Sequence, residues 1–121
     1  MDDTQPLWQP SAEATAISNM ASFMEAVEAD WNVTIDGYDD LHRFSISERE
    51  KFWVSVKDFV GVIAETWGDD VLVDGDRMPG ARWFPDARLN FAENLMRRRD
   101  DGDAIVFRGE DKAAARMSFA E

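Results

Sequence analysis

From Ala12 onward, apolar residues recur at helical spacing, as Ile17, Met20, Phe23, Met24, Val27 and Trp31, with polar residues between them. Ser11 stands where an N-cap belongs, so a helix is predicted to begin at Ala12. Ser18-Asn19 interrupts or recaps that stretch, which leaves one helix or two. Residues 32–37 read as a loop, and residues 38–44 as a helical turn. Ser45-Ile46-Ser47-Glu48 has the form of a capping box. It predicts a helix from about residue 46 to about residue 60, with Phe52, Trp53, Val56 and Phe59 on its buried face. Glu48, Lys51 and Lys57 make its wet face, and Gly61 weakens its end.

The second half changes character. Val71-Leu72-Val73 is a short β-branched run between turn residues and reads as a strand. Pro79-Gly80 is a turn, and Arg82-Trp83-Phe84-Pro85 is irregular or extended, because a proline disfavours helix in the residue before it. Asn90 with Glu93 repeats the capping pattern and predicts a helix to about Arg99, with three arginines in its last turn. Residues 104–108 form a strand, and Ala115-Arg116-Met117 returns as a hairpin. Ser118-Phe119-Ala120-Glu121 is a further Ser-x-x-Glu box announcing a helix that does not follow. The expectation is that the polypeptide is the front part of something longer. At the other end, residues 1–10 read as an extended lead, with Pro6 and Pro10 bracketing Leu7 and Trp8.

Composition narrows the function classes. The 121 residues hold 45% apolar and 31% charged residues, suited to globular packing. Cysteine is absent, which excludes disulfides, thiolate zinc sites and cysteine catalysis. The net charge of −12 opposes nucleic acid and anionic membrane surfaces as partners. That charge is concentrated in residues 1–75, while residues 76–121 balance nine acids with nine bases. No apolar run is long enough to span a membrane, and the acidic start lacks the pattern of a secretory signal. A cytoplasmic location is expected.

Candidate chemistry is sparse. Neither a G-x-x-x-x-G-K-[ST] loop nor a G-x-G-x-x-G turn occurs. His42 is the one histidine, and beside Leu41 and Phe44 it reads as a packed or capping residue. The Asp pairs near residues 69–76 and 100–103 lack the ligand series of a calcium loop and read as solvated turns. Arg97-Arg98-Arg99 reads as the complement of a helix dipole, its field cancelled by Asp100 and Asp101. No catalytic, cofactor-binding or metal-binding residue is assigned. The residues singled out are instead docking or packing groups: Trp8, Phe52, Trp53, Arg82, Trp83 and Phe84.

One stretch carries a resemblance. Met78-Pro79-Gly80-Ala81-Arg82-Trp83-Phe84-Pro85, continuing through Leu89-Asn90-Phe91-Ala92-Glu93-Asn94-Leu95, resembles the N-terminal region of acetoacetyl-CoA synthetases. These belong to the adenylate-forming, AMP-binding acyl-CoA synthetase superfamily. Pro6-Leu7-Trp8, Tyr38-Asp39-Asp40-Leu41-His42-Arg43-Phe44-Ser45, Phe52-Trp53, Phe107-Arg108-Gly109-Glu110-Asp111 and Ser118-Phe119-Ala120-Glu121 match in order, so the resemblance covers essentially the whole chain. The sister acetyl-CoA synthetases share the W-F-x-x-x-x-L-N frame but usually carry two glycines where Pro85-Asp86-Ala87-Arg88 stands.

The resemblance implies an α+β fold: a mainly helical cap over residues 1–80, like the acetyl-CoA synthetase N-terminus, then residues 81–121 as the first strands and helix of a truncated α/β adenylating domain. It implies a parent ligase that joins acetoacetate or a similar acyl substrate to coenzyme A through an acyl-adenylate, using ATP, CoA and Mg2+. The motifs that do this lie outside the 121 residues. The expected fragment therefore holds no cofactor, is inactive alone, and has the missing adenylating domain as its partner. A stand-alone acidic helical interaction module is the alternative, and a small acidic metal-binding protein a third reading.

Overall fold

The computed structural model describes residues 8–121, and residues 1–7 of the extended lead lie outside the described residues. The chain forms two units interleaved along the sequence. One runs to Gly61 and takes in Val71–Trp83, and the other comprises Val62–Asp70 and Phe84–Glu121. Helices and small antiparallel sheets make the fold α+β.

In the first unit, α1 (Ala12–Ala16) is capped by the Ser11 side chain, which accepts from the Ala14 N–H. Ser18 then caps α2 (Asn19–Trp31) in the same way through Ala21, so the stretch is two helices. The break leaves Ile17 as a C-cap, 79% exposed, rather than on the core stripe. Asn32 ends α2 in the left-handed conformation that asparagine tolerates.

The next helices depart from the predicted boundaries. α3 (Tyr38–Ser47) is a full helix of ten residues, and α4 (Arg49–Phe59) begins only after Glu48. The Ser45 box does not cap a helix. Ser45 lies inside α3, and its hydroxyl donates to the His42 carbonyl. Leu41 and Phe44 are the buried residues of α3. The core is Phe23, Val27, Ile35, Leu41 and Phe44, with Met24, Trp31, Val33, Phe52 and Val56 packed against it.

α4 also turns differently from its predicted face. Phe52 and Val56 are half-buried, Trp53 and Phe59 are exposed, and the one buried residue is Ser55. β1 (Leu72–Val73) pairs antiparallel with β2 (Arg82–Trp83), matching Leu72 to Trp83 and Val73 to Arg82. Arg49 holds the turn between them, donating to the Gly75 carbonyl at 2.8 Å and to Asp76 at 2.9 Å.

In the second unit, Asn90 caps α5 (Phe91–Leu95), accepting from the Ala92 and Glu93 N–H groups. The helix stops at Leu95, so Arg97, Arg98 and Arg99 follow it instead of forming its last turn. Asn94 reaches to residue 63, accepting from the Ile63 N–H at 2.7 Å and donating to its carbonyl at 2.8 Å. A short bridge joins Thr66 to Arg88. Gly68 has φ of +70°, and a Cβ there would stand 2.6 Å from the Cβ of Asp86. β3 (Asp103–Arg108) and β4 (Ala114–Ser118) form the predicted hairpin.

Candidate functional site

Aromatic side chains form a connected set in the first unit. Phe23 of α2 meets Phe59 and Phe52 of α4 edge-on, with centroids 5.2 Å and 5.8 Å apart. Phe52 meets Trp53 at 5.5 Å, and Trp53 meets Trp83 of β2 at 5.8 Å. Each pair has the tilted geometry that places a ring edge on a neighbouring face. The result is one continuous aromatic row from the buried Phe23 to the surface, where Trp53 is 44% and Trp83 39% exposed.

The predicted docking residues thus divide. Phe52, Trp53 and Trp83 are brought together, and exposed Arg82 precedes Trp83 on β2. Trp8 is 77% exposed. Phe84 belongs to the second unit, where its ring meets Trp67 at 5.3 Å. Its φ of +42° is a conformation a bulky residue rarely holds, and the Trp67 contact offsets part of that cost.

Beside the aromatic row, α2, α3 and α4 border an apolar groove of about 420 Å³. Phe23, Leu41, Phe52, Val56 and Phe59 line it, and Met20, Tyr38, His42 and Val60 stand at its sides. Tyr38 and His42, one turn apart on α3, stack with rings 16° from parallel. His42 is exposed and stacks on Tyr38. Sequence reasoning passed over the Tyr38–His42 pair, although their i, i+4 spacing was the available signal.

Several charged groups pair with one another. Arg98 grips Asp100 with two hydrogen bonds of 2.8 Å and 2.7 Å and lies 4.2 Å over the Phe119 ring. That guanidinium, with the Gly102 N–H, holds the Asp100 carboxyl below the ordinary carboxylate range, while Asp100 raises Arg98. Arg99 donates to the carbonyls of Met96 and Arg98. Among the described residues, no three metal-ligating side chains converge, and no helix is long and apolar enough to cross a membrane.

The first unit thus joins an aromatic row to an apolar groove. The family model described as the acetyl-coenzyme A synthetase N-terminus matches residues 38–95. The acetoacetyl-coenzyme A synthetase of Rhizobium meliloti (strain 1021) is 46% identical over 121 residues, covering 100% of this chain and 18% of that protein. A malonamoyl-CoA synthetase of Penicillium aethiopicum is 36% identical over 91 residues, 74% of this chain and 12% of that protein. The solved structure of acetoacetyl-CoA synthetase from Streptomyces lividans superposes with a TM-score of 0.80 at 37% identity, covering 96% of this chain and 18% of that one. The class that the chain matches is the N-terminal region of acyl-CoA synthetases. Within it, the chain matches the N-terminal region of acetoacetyl-CoA synthetases in sequence and in fold.

Proposed function

We propose that this chain is the N-terminal part of an ATP-dependent acetoacetate–CoA ligase, and that its role there is structural. The supporting observation is the 46% identity along its full length to a relative of which it spans 18%. In this reading residues 1–80 are the helical cap and residues 81–121 open the adenylating domain. The whole enzyme forms an acyl-adenylate from acetoacetate and ATP and passes the acyl group to coenzyme A, with Mg2+ assisting. Its location is the cytoplasm.

The described residues supply neither a phosphate-cradling glycine loop nor a cluster of metal ligands, so no chemical step is assigned to them. Their part is mechanical. Trp8, Phe52, Trp53, Arg82, Trp83 and Phe84 are the groups that dock on the remaining catalytic polypeptide, which is the partner. Of these, Trp8, Trp53 and Trp83 are exposed, and aromatic groups of this size are costly in water and favourable against a complementary surface.

A chimera tests the reading. The chain replaces the matching 18% of the Rhizobium meliloti enzyme, and acetoacetate- and CoA-dependent AMP release is measured. The chimera is expected to turn over and the 121-residue chain alone to be inactive. Turnover by the chain alone, or a folded but inactive chimera, would overturn it.

A further inference from the structure

The β3–β4 hairpin is two-sided. Its register sets Ile105 against Met117 and Phe107 against Ala115, and alternation along each strand puts these four residues on one face. The other face takes Val106 and Arg108 from β3 and Ala114 and Arg116 from β4, with Val106 directly opposite Arg116. Arg116 also forms an ion pair with Asp103. The first set is wholly apolar, and the second is crossed by two arginines. Yet the apolar face is open: Ile105 is 56%, Phe107 55% and Met117 49% exposed. An antiparallel sheet with one polar and one apolar face commonly packs the apolar face and leaves the other to water.

We propose that the Ile105–Phe107–Met117 face is a docking surface for the remaining polypeptide of the ligase, and that the Arg108–Arg116 face stays in water. This rests on the ligase reading and adds to it a second docking surface, separate from the aromatic row, together with the side that is covered. Length selects the occupant. The chain covers 18% of the acetoacetyl-coenzyme A synthetase that it matches from end to end, so most of that enzyme lies outside it. β4 ends at Ser118 and the 121 residues at Glu121, so in an enzyme of that length the polypeptide continues from the hairpin itself. A covalent link holds this occupant at high effective concentration. A second copy must instead bring one chain of net charge −12 against another. A two-stranded hairpin is marginal alone, and packing its apolar face supplies what it lacks.

The Rhizobium meliloti chimera is the test. Phe107→Lys sets a charge on the apolar face, and Val106→Lys sets the same charge on the other. Phe107→Lys is expected to lower the Tm of the chimera and to cut its AMP release severalfold, whereas Val106→Lys should leave both near their unsubstituted values. In the 121-residue chain alone, where both side chains meet water, the two lysines should change Tm equally little. Met117 gives a reading without any substitution: dilute hydrogen peroxide should convert it to the sulfoxide severalfold more slowly in the chimera than in the chain alone. Equal losses from the two lysines in the chimera, a Phe107→Lys loss as large in the chain alone, or Met117 oxidised at one rate in both proteins would each overturn the proposal, while an active unsubstituted chimera leaves the ligase reading standing. A folded but inactive unsubstituted chimera overturns both. Met117 oxidation decides alone if Phe107→Lys does not fold.

Discussion

The indole Nε1 of Trp31 donates a 2.8 Å hydrogen bond to the Oγ of Ser55, tying the end of α2 to the middle of α4. Ser55 is 3% exposed, and its hydroxyl donates a hydrogen bond to the Lys51 carbonyl at 3.0 Å. Lys51 closes the group from outside, with its ammonium 5.6 Å from the Trp31 ring centroid. A small polar residue is therefore what α4 places against α2. Removing the hydroxyl leaves a half-buried indole N–H without an acceptor, a loss of about 1–3 kcal/mol. Ser55→Ala is expected to lower the unfolding free energy by that amount in urea titration, and Ser55→Thr, which keeps the hydroxyl, by less.

Gly68 makes a second prediction, local to the other unit. Its positive φ and the 2.6 Å approach of the Asp86 Cβ leave no room for a methyl group. Gly68→Ala should destabilise the Thr66–Arg88 bridge, at a cost of about 1–3 kcal/mol for the strained backbone. Faster amide exchange at Arg88, which donates to the Thr66 carbonyl, would report it.

Acid sensitivity follows from Asp40. The Arg43 guanidinium, 2.6 Å away, and then the Asp36 N–H, 3.0 Å away, hold its carboxyl below the ordinary carboxylate range. A group depressed by folding contributes fully above its unfolded pKa, and that contribution disappears as pH falls through the folded pKa. Asp40→Asn is therefore expected to lower Tm slightly near neutral pH and to flatten the acid limb of the Tm–pH curve. Added salt should shrink the difference, because the pair is solvent-screened. Parallel curves for the two proteins would refute the assignment.

The aromatic row predicts how docking fails. Trp53→Ser and Trp83→Ser remove exposed ends of the row and leave Phe23 and Phe52 in place. In the chimeric ligase the double variant should lose activity or thermal stability, while the isolated chain keeps its helical circular dichroism. Unchanged activity and stability in the chimera would detach these residues from docking.

Local signals proved readable where the chemistry is local. Ser11, Ser18 and Asn90 each satisfy N–H groups two or three residues ahead, and that geometry needs nothing distant. The β3–β4 hairpin was legible for the same reason. Ser45 carried an equally good motif and failed: it lies inside α3, and its hydroxyl donates back to the His42 carbonyl instead of accepting from N–H groups ahead. Similarly, the three arginines suited a helix end, but the helix stops before them and Arg98 instead finds Asp100. Phe52, Trp53 and Trp83 were visible as large aromatic groups, whereas their joining into one row was not, since Trp53 and Trp83 lie thirty residues apart.

By itself, then, the amino-acid order determined where the helices capped by Ser11 and Asn90 begin, which strands form a hairpin, the excess negative charge, and the kinship with acetoacetyl-CoA synthetases. Only the tertiary structure decided which side of α4 faces inward, why a serine is its buried residue, and which aromatic groups touch. Caps and turns are governed by neighbours a few residues away. Burial is governed by whatever the folded chain brings alongside, and for Ser55 that is an indole twenty-four positions earlier.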